Sequence, residues 1–197
     1  MGNIDRREAL KRATLILGGV ITAPTVLGIL NGCAPDPKLI WEPSFFTKDQ
    51  AKLIMEMTET ILPETDTPGA KSLGVPSFVE QMVSTIYDEK TRAAFMSGLG
   101  EMRKEIDSIF GRPFVELNKG QQKEYAKKKN SEISGMEFSR GVSERPFFWR
   151  LKELTLVGYY TSEYGATKAL QYLPVPVEYK GCIRLSEAGN GKTWATS

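Results

Sequence analysis

The chain has 197 residues, 41% hydrophobic and 25% charged, which excludes a disordered or fibrous protein and suits one domain plus a short targeting segment. Its 26 basic and 24 acidic residues leave a net charge of +2, no basis for expecting a nucleic-acid partner. There is no histidine and there are only 2 cysteines. Ser-His-Asp and Cys-His nucleophile systems, His-ligated zinc, C-x-x-C-H haem attachment and Cys₄ clusters are therefore excluded.

Residues 1–33 read as an export signal. Arg6, Arg7, Lys11 and Arg12 form a basic start, and Ala13 to Leu30 is an apolar run of about 18 residues, near the lower limit for a bilayer span. Gly18, Gly19, Pro24 and Gly28 dilute that run and suit a signal h-region better than a stable membrane helix. Arg6-Arg7, followed by Glu8-Ala9-Leu10-Lys11, resembles a twin-arginine export signal. Leu30-Asn31-Gly32-Cys33 resembles a lipobox, in which a large apolar residue and then a small one precede the thiol that takes the lipid. On this reading Cys33 is the lipidation site, and the mature protein is a lipoprotein anchored on the periplasmic side of a bacterial envelope. Loss of the four basic and two acidic residues of this segment leaves the mature chain formally neutral.

Residues 34–44, with Pro35, Pro37 and Pro43, read as a stiff tether, and 45–197 as the folded domain. Thr47 and Gln50 form a capping box that Phe45 or Phe46 could staple, opening a helix with Ala51, Ile54, Met57, Thr58 and Ile61 on one face and Pro63 as its stop. Pro76-Ser77 opens a second helix carrying Val79, Met82, Val83, Ile86 and Tyr87. A third runs from about Glu89 to Phe110 on Phe95, Leu99, Met102, Ile106 and Ile109. Asn118 with Gln121 is a second capping box, leading into Lys123 to Asn130, where Lys127-Lys128-Lys129 reads as a solvated face. Pro146 opens a last helix, Phe147 to about Tyr164, closed by Gly165. From Leu173 onward prolines and glycines predict an extended, irregular tail. The fold class is thus mostly α, a small orthogonal bundle with that tail.

Few residue groups offer chemistry. Gly189-Asn190-Gly191-Lys192-Thr193 lacks the first glycine of a P-loop, where Ser186 stands, and has no room for the helix that should follow. Glu64 and Asp66 share one turn, too few oxygens for calcium, and Asp66 is expected to cap Pro68-Gly69-Ala70. A hydrolase built on these carboxylates is a weak alternative. Phe147, Phe148, Leu151, Leu154 and Val157/Gly158 make a core stripe, which leaves Trp149, Tyr160 and Tyr164 partly off it. Aromatics off a core stripe suit a protein interface, with sugar stacking or a wide core face as the competing readings. Cys182 is expected to be buried.

The start Asp5-Arg6-Arg7-Glu8-Ala9-Leu10-Lys11, the segment from Ile61 through Leu62-Pro63-Glu64-Thr65-Asp66-Thr67-Pro68-Gly69-Ala70, and Gly74-Val75-Pro76 are joined by a second set of motifs. These are Glu153-Leu154-Thr155, the run from Gly158 to Thr167, Tyr172-Leu173-Pro174-Val175-Pro176 and Tyr179-Lys180-Gly181-Cys182. Together they resemble the gluconate 2-dehydrogenase subunit 3 family over the whole chain. Departures stand at Val177, where the family often has Gly, and at Ile183-Arg184, where a Pro usually follows the Gly-Cys pair. The resemblance implies a non-catalytic small subunit that accompanies a large flavoprotein of the glucose-methanol-choline type through twin-arginine export. FAD would belong to that partner, a cytochrome c subunit often takes the electrons, and the substrates are sugars, sugar acids or polyols. No catalytic, cofactor-binding or metal-binding residue is carried over to this chain. Trp149, Tyr160, Tyr164, Tyr172 and Tyr179 are the expected partner-facing residues; a stand-alone periplasmic sugar-binding lipoprotein is the alternative.

Overall fold

The computed structural model describes residues 37–136, 141, 144–172, 182–187 and 191–195. Arg6, Arg7, Cys33 and Tyr179 lie outside them. The described chain is mostly α, as expected, and its β pairing is a single parallel bridge between Gln171 and Trp194. No helix among the described residues is long and apolar enough to cross a membrane.

Helix α1, Lys48–Ile61, starts where the sequence predicts. Thr47 N donates to Gln50 Oε1 at 2.9 Å and Gln50 N donates to Thr47 Oγ1 at 3.3 Å, satisfying two otherwise orphan amides. Phe46, just before the cap, is buried, whereas Phe45 is exposed. Ala51, Ile54, Met57 and Thr58 of the predicted face are buried and Ile61 is half-buried, and the buried set extends to Leu53, Met55 and Glu56. This width makes α1 the centre of the bundle, with α2, α4 and α5 packed around it.

Helix α2, Val75–Gln81, begins after Gly74, whose φ of 70° is the left-handed conformation that favours glycine. It passes directly into a π-helical turn, Met82–Ile86. That turn corrects one expectation. Val79 and Val83 are fully buried, but Ile86 is 64% exposed, because the wider i→i+5 winding rotates it off their face.

Helix α3, Glu89–Phe110, has the predicted limits; Asp88 caps it by accepting Thr91 N at 2.7 Å, and Gly111 closes it at φ 67°. Phe95, Leu99, Met102 and Ile106 are buried, but Ile109 is exposed. Its neighbour Phe110 takes the inward position in the last turn, with its ring centroid 6.3 Å from that of Tyr125.

After a 3₁₀ turn at Phe114–Glu116, α4 spans Lys119–Ile133 and carries the predicted Asn118–Gln121 capping box. Lys127 and Lys128 are exposed, but Lys129 is not a solvated residue. It pairs with Glu105 at 2.7 Å and Glu132 at 2.8 Å and lies 5.8 Å from the Tyr125 ring centroid. Burial lowers the Lys129 pKa, but the two carboxylates outweigh it and hold the ammonium above its ordinary value.

Helix α5, Phe147–Thr161, follows Pro146 as its N-cap. Phe147, Phe148, Leu151, Leu154 and Gly158 are buried as expected, but Val157 is exposed and Tyr159 is buried in its place. The helix stops short of Tyr164. The Ser162 hydroxyl donates to Tyr159 O at 2.6 Å and accepts Gly165 N at 3.1 Å, and a π-helical turn follows over Gly165–Ala169. Gly165 therefore opens the next turn and does not terminate α5. A Cβ at this position would overlap the Tyr159 carbonyl, so only glycine fits. In the tail, Cys182 is exposed, not buried, because the described residues around it are themselves exposed.

The segment before α1 does not hang free. Leu39 and Trp41 pack on the core, and Glu80 of α2 clasps the strap behind them. The Glu80 carboxylate accepts Trp41 Nε1 at 2.6 Å, Phe45 N at 2.7 Å and Phe46 N at 2.9 Å. Burial pushes the Glu80 carboxyl up, but these donors outweigh it and hold it below its ordinary value. A carboxyl lowered in the folded state stabilises the fold above the ordinary pKa of 4.5, and the contribution is lost as pH falls through the folded value. Glu80→Gln is expected to cost about 1.5–3 kcal/mol at neutral pH in urea unfolding. The gap from the parent should close below about pH 4.5; a gap independent of pH would contradict this account.

Candidate partner interface

Two features stand out on the folded domain: the loop after α1 and the outer edge of α5. The loop, Leu62–Ser72, has almost no regular structure, so its amides need other acceptors. Glu59 supplies two. Its Oε1 accepts Glu64 N at 2.9 Å and its Oε2 accepts Lys71 N at 2.8 Å, so one carboxylate holds both ends of the loop. Ala70 N donates to Leu62 O at 2.9 Å, and Thr65 N to Thr67 O at 2.9 Å. The cap expected from Asp66 is not what holds the Ala70 amide; the Leu62 carbonyl accepts it, Thr65 and Thr67 bond each other, and Glu64 and Asp66 are exposed. Gly69 is required for close approach, since a Cβ there would lie 2.6 Å from Glu64 N and overlap the Glu59 carboxylate.

Beneath the loop, Glu56 is buried and paired with Lys71 and, at 2.9 Å, with Lys119 of α4. Burial alone would push this carboxyl up; the two ammonium groups outweigh it and hold it below the usual range. The loop is thereby tied to α1 and α4 together. A groove of about 640 Å³ lies alongside, lined by Ile40, Glu59, Pro63, Lys71, Lys119 and Lys123 among others.

Helix α5 is fixed by its inner face. Arg150 is buried and donates from Nη1 to Thr91 O at 3.1 Å and from Nη2 to Ala94 O at 2.8 Å, joining α5 to α3. Glycines let the helices come close: a Cβ at Gly158 would sit 2.6 Å from Phe78 Cδ1, and one at Gly98 would overlap Phe147. Tyr159 reaches from α5 to the loop, donating its hydroxyl to Pro68 O at 3.1 Å.

The opposite edge of α5 stays exposed. Val157 and Tyr160, one turn apart, are 42% and 40% exposed. The Tyr160 ring is held edge-on to that of Tyr159, with centroids 5.4 Å apart. Tyr172, just beyond the Gln171–Trp194 bridge, is exposed, as are Trp194, Ile183 and Leu185 of the tail. Tyr164 is half-buried. Trp149 is also half-buried, packs against the core and carries the Arg145 guanidinium 4.2 Å from its ring centroid. Of the expected partner-facing aromatics among the described residues, Tyr160 and Tyr172 are therefore the most open.

Sequence reasoning did not single out Glu56, Glu59, Glu80 or Arg150, because a charge held by partners distant along the chain has no periodic signature. Trp194 could have been found, as a lone large aromatic in a polar tail. Among the described residues no group of three His, Cys, Asp or Glu side chains is placed to hold a metal ion.

The family model for gluconate 2-dehydrogenase subunit 3 matches residues 48–178, which include the loop, α5 and Tyr172. No curated protein and no solved structure matches the chain significantly.

Gly69→Ala should force the loop off Glu59 and cost about 1–3 kcal/mol. The expected fall in Tm is about 3–10 °C by calorimetry. An unchanged Tm would show that the loop tolerates a Cβ and that Glu59 does not fix it.

Proposed function

The chain belongs to the gluconate 2-dehydrogenase subunit 3 family, and from this we propose that it is the non-catalytic small subunit of an exported flavin-dependent dehydrogenase acting on sugars, sugar acids or polyols. Family membership carries the reading, and the exposure of Tyr160 on α5 and of Tyr172 beyond it supports it. The FAD and the reacting alcohol belong to a large glucose-methanol-choline-type partner, with a cytochrome c subunit taking the electrons. This chain contributes assembly: Arg6 and Arg7 address twin-arginine export, Cys33 attaches the complex to the periplasmic side of the envelope, and the α5 edge holds the flavoprotein. Tyr160 and Tyr172 are the main anchors of that contact, with Trp149, Tyr164 and Tyr179 as further partner-facing residues. Aromatic anchors of this kind dominate interface energies because they bury large rigid surfaces at little entropic cost.

The test is affinity capture from native membranes through a tag placed after Ser197, with a visible spectrum of the eluate. A second band of flavoprotein size with absorption near about 450 nm is the expected result. Tyr160→Ala combined with Tyr172→Ala should weaken capture by about 30-fold or more, equivalent to about 2 kcal/mol, without unfolding the chain. A colourless single band that retains glycans would instead favour the stand-alone sugar-binding lipoprotein.

A further inference from the structure

The clasp of Glu80 on the strap before α1 has a geometric consequence for a chain anchored at Cys33. Trp41 is the first residue held by it, through its indole N–H at 2.6 Å from Glu80 Oε2, and its ring packs on the core. Eight peptide steps separate Cys33 from Trp41, with prolines at positions 35 and 37. In polyproline-like extension they reach about 25 Å, and fully stretched no more than about 29 Å. A compact domain of roughly 150 residues has a radius of gyration of about 15 Å and measures about 38 Å across. The tether is therefore shorter than the domain it holds.

We propose that the Glu80 clasp sets which side of the domain faces the bilayer, namely the side carrying Ile40 and the groove beside the Leu62–Ser72 loop. This rests on Cys33 being the lipidated residue. If the opposite pole lay on the headgroups, the tether would have to span the whole domain, which it cannot. Were the clasp open, the free segment would run to Thr47, a reach of about 45 Å, and any side could face the membrane. Ile40 itself is 53% exposed beside the exposed Lys38, an apolar side chain suited to an interfacial position. The adjoining groove sets Lys71, Lys119 and Lys123 against Glu59 and Glu64, with Glu56 beneath. That near balance of charge makes orientation a matter of tether length and not of anionic lipid, so the occupant is a phospholipid surface of ordinary zwitterionic composition.

The experiment uses the full chain isolated with its native N-terminus and reconstituted in phosphatidylcholine vesicles carrying an acceptor-labelled lipid. In a Cys182→Ser background, a donor dye is placed at Ile40→Cys or at Ser97→Cys. Ser97 is exposed on α3 and borders a cavity that shares no residue with the Ile40 groove. Energy transfer from position 40 should exceed that from position 97 by about twofold, for a difference in height of about half the domain diameter. Glu80→Ala should abolish the difference. A Gly/Ser insert of about 12 residues between Ala34 and Pro35, which lengthens the tether without touching the core, should do the same. Equal transfer from both positions in an acylated chain would overturn the orientation while leaving the anchor intact. The mass of the N-terminal peptide reports the anchor separately, and an unmodified Cys33 would overturn both.

Discussion

Two long stretches of this protein, the strap before α1 and the loop after it, leave backbone amides with no helical or β partner, and carboxylates on α2 and α1 take them. Glu80 accepts the Phe45 and Phe46 amides together with the Trp41 indole, and Glu59 accepts the Glu64 and Lys71 amides. A buried amide left unpaired costs as much as a lost hydrogen bond, so without these carboxylates neither segment could lie on the core. An ionised acceptor makes each bond stronger than a neutral one, and several donors per carboxylate offset the cost of removing the charge from water. Glu56 follows the same logic with ammonium donors, so that α1 carries two such centres within one turn and α2 carries the third.

Arg150 is the cationic counterpart. It is buried against two main-chain carbonyls of α3, and its guanidinium carbon lies 5.7 Å from the Phe95 ring centroid. The fork of the guanidinium reaches carbonyls three residues apart on one helix, Thr91 and Ala94, which a lysine ammonium could not do with the same rigidity. With Gly98 and Gly158 allowing close contact, α5 is held along its whole inner face. That rigidity matters for the other edge, because an interface anchor costs least to bind when its backbone and rotamer are already fixed.

The division of labour proposed for the complex rests on the family and on the surface the domain leaves open. Glu56, Glu59, Glu80 and Arg150 hold the loop, the strap and the helices to one another, while Tyr160, Tyr172 and Trp194 stay open to a second protein. Exposed aromatics mounted on a fixed helix suit a protein interface.

Much of this was written in the sequence. Capping boxes at Thr47 and Asn118 and the Phe95–Ile106 stripe placed three helices, because these signals act within a few residues of one another. The segment from Ile61 to Ala70 pointed to the family for the same reason, as a contiguous run. What the sequence could not place depended on residues distant along the chain. The π-turn that exposes Ile86, the exchange of Val157 for Tyr159 on the inner face of α5, and the pairing that withdraws Lys129 from solvent are settled by neighbours on other helices. Glu80 meets Phe46 across 34 residues and Arg150 meets Thr91 across 59. Local pattern determined which segments are helical and which face of most is apolar. Tertiary structure alone decided which charges are buried and which aromatics remain open, since a charge enters the core only where the fold brings it a partner.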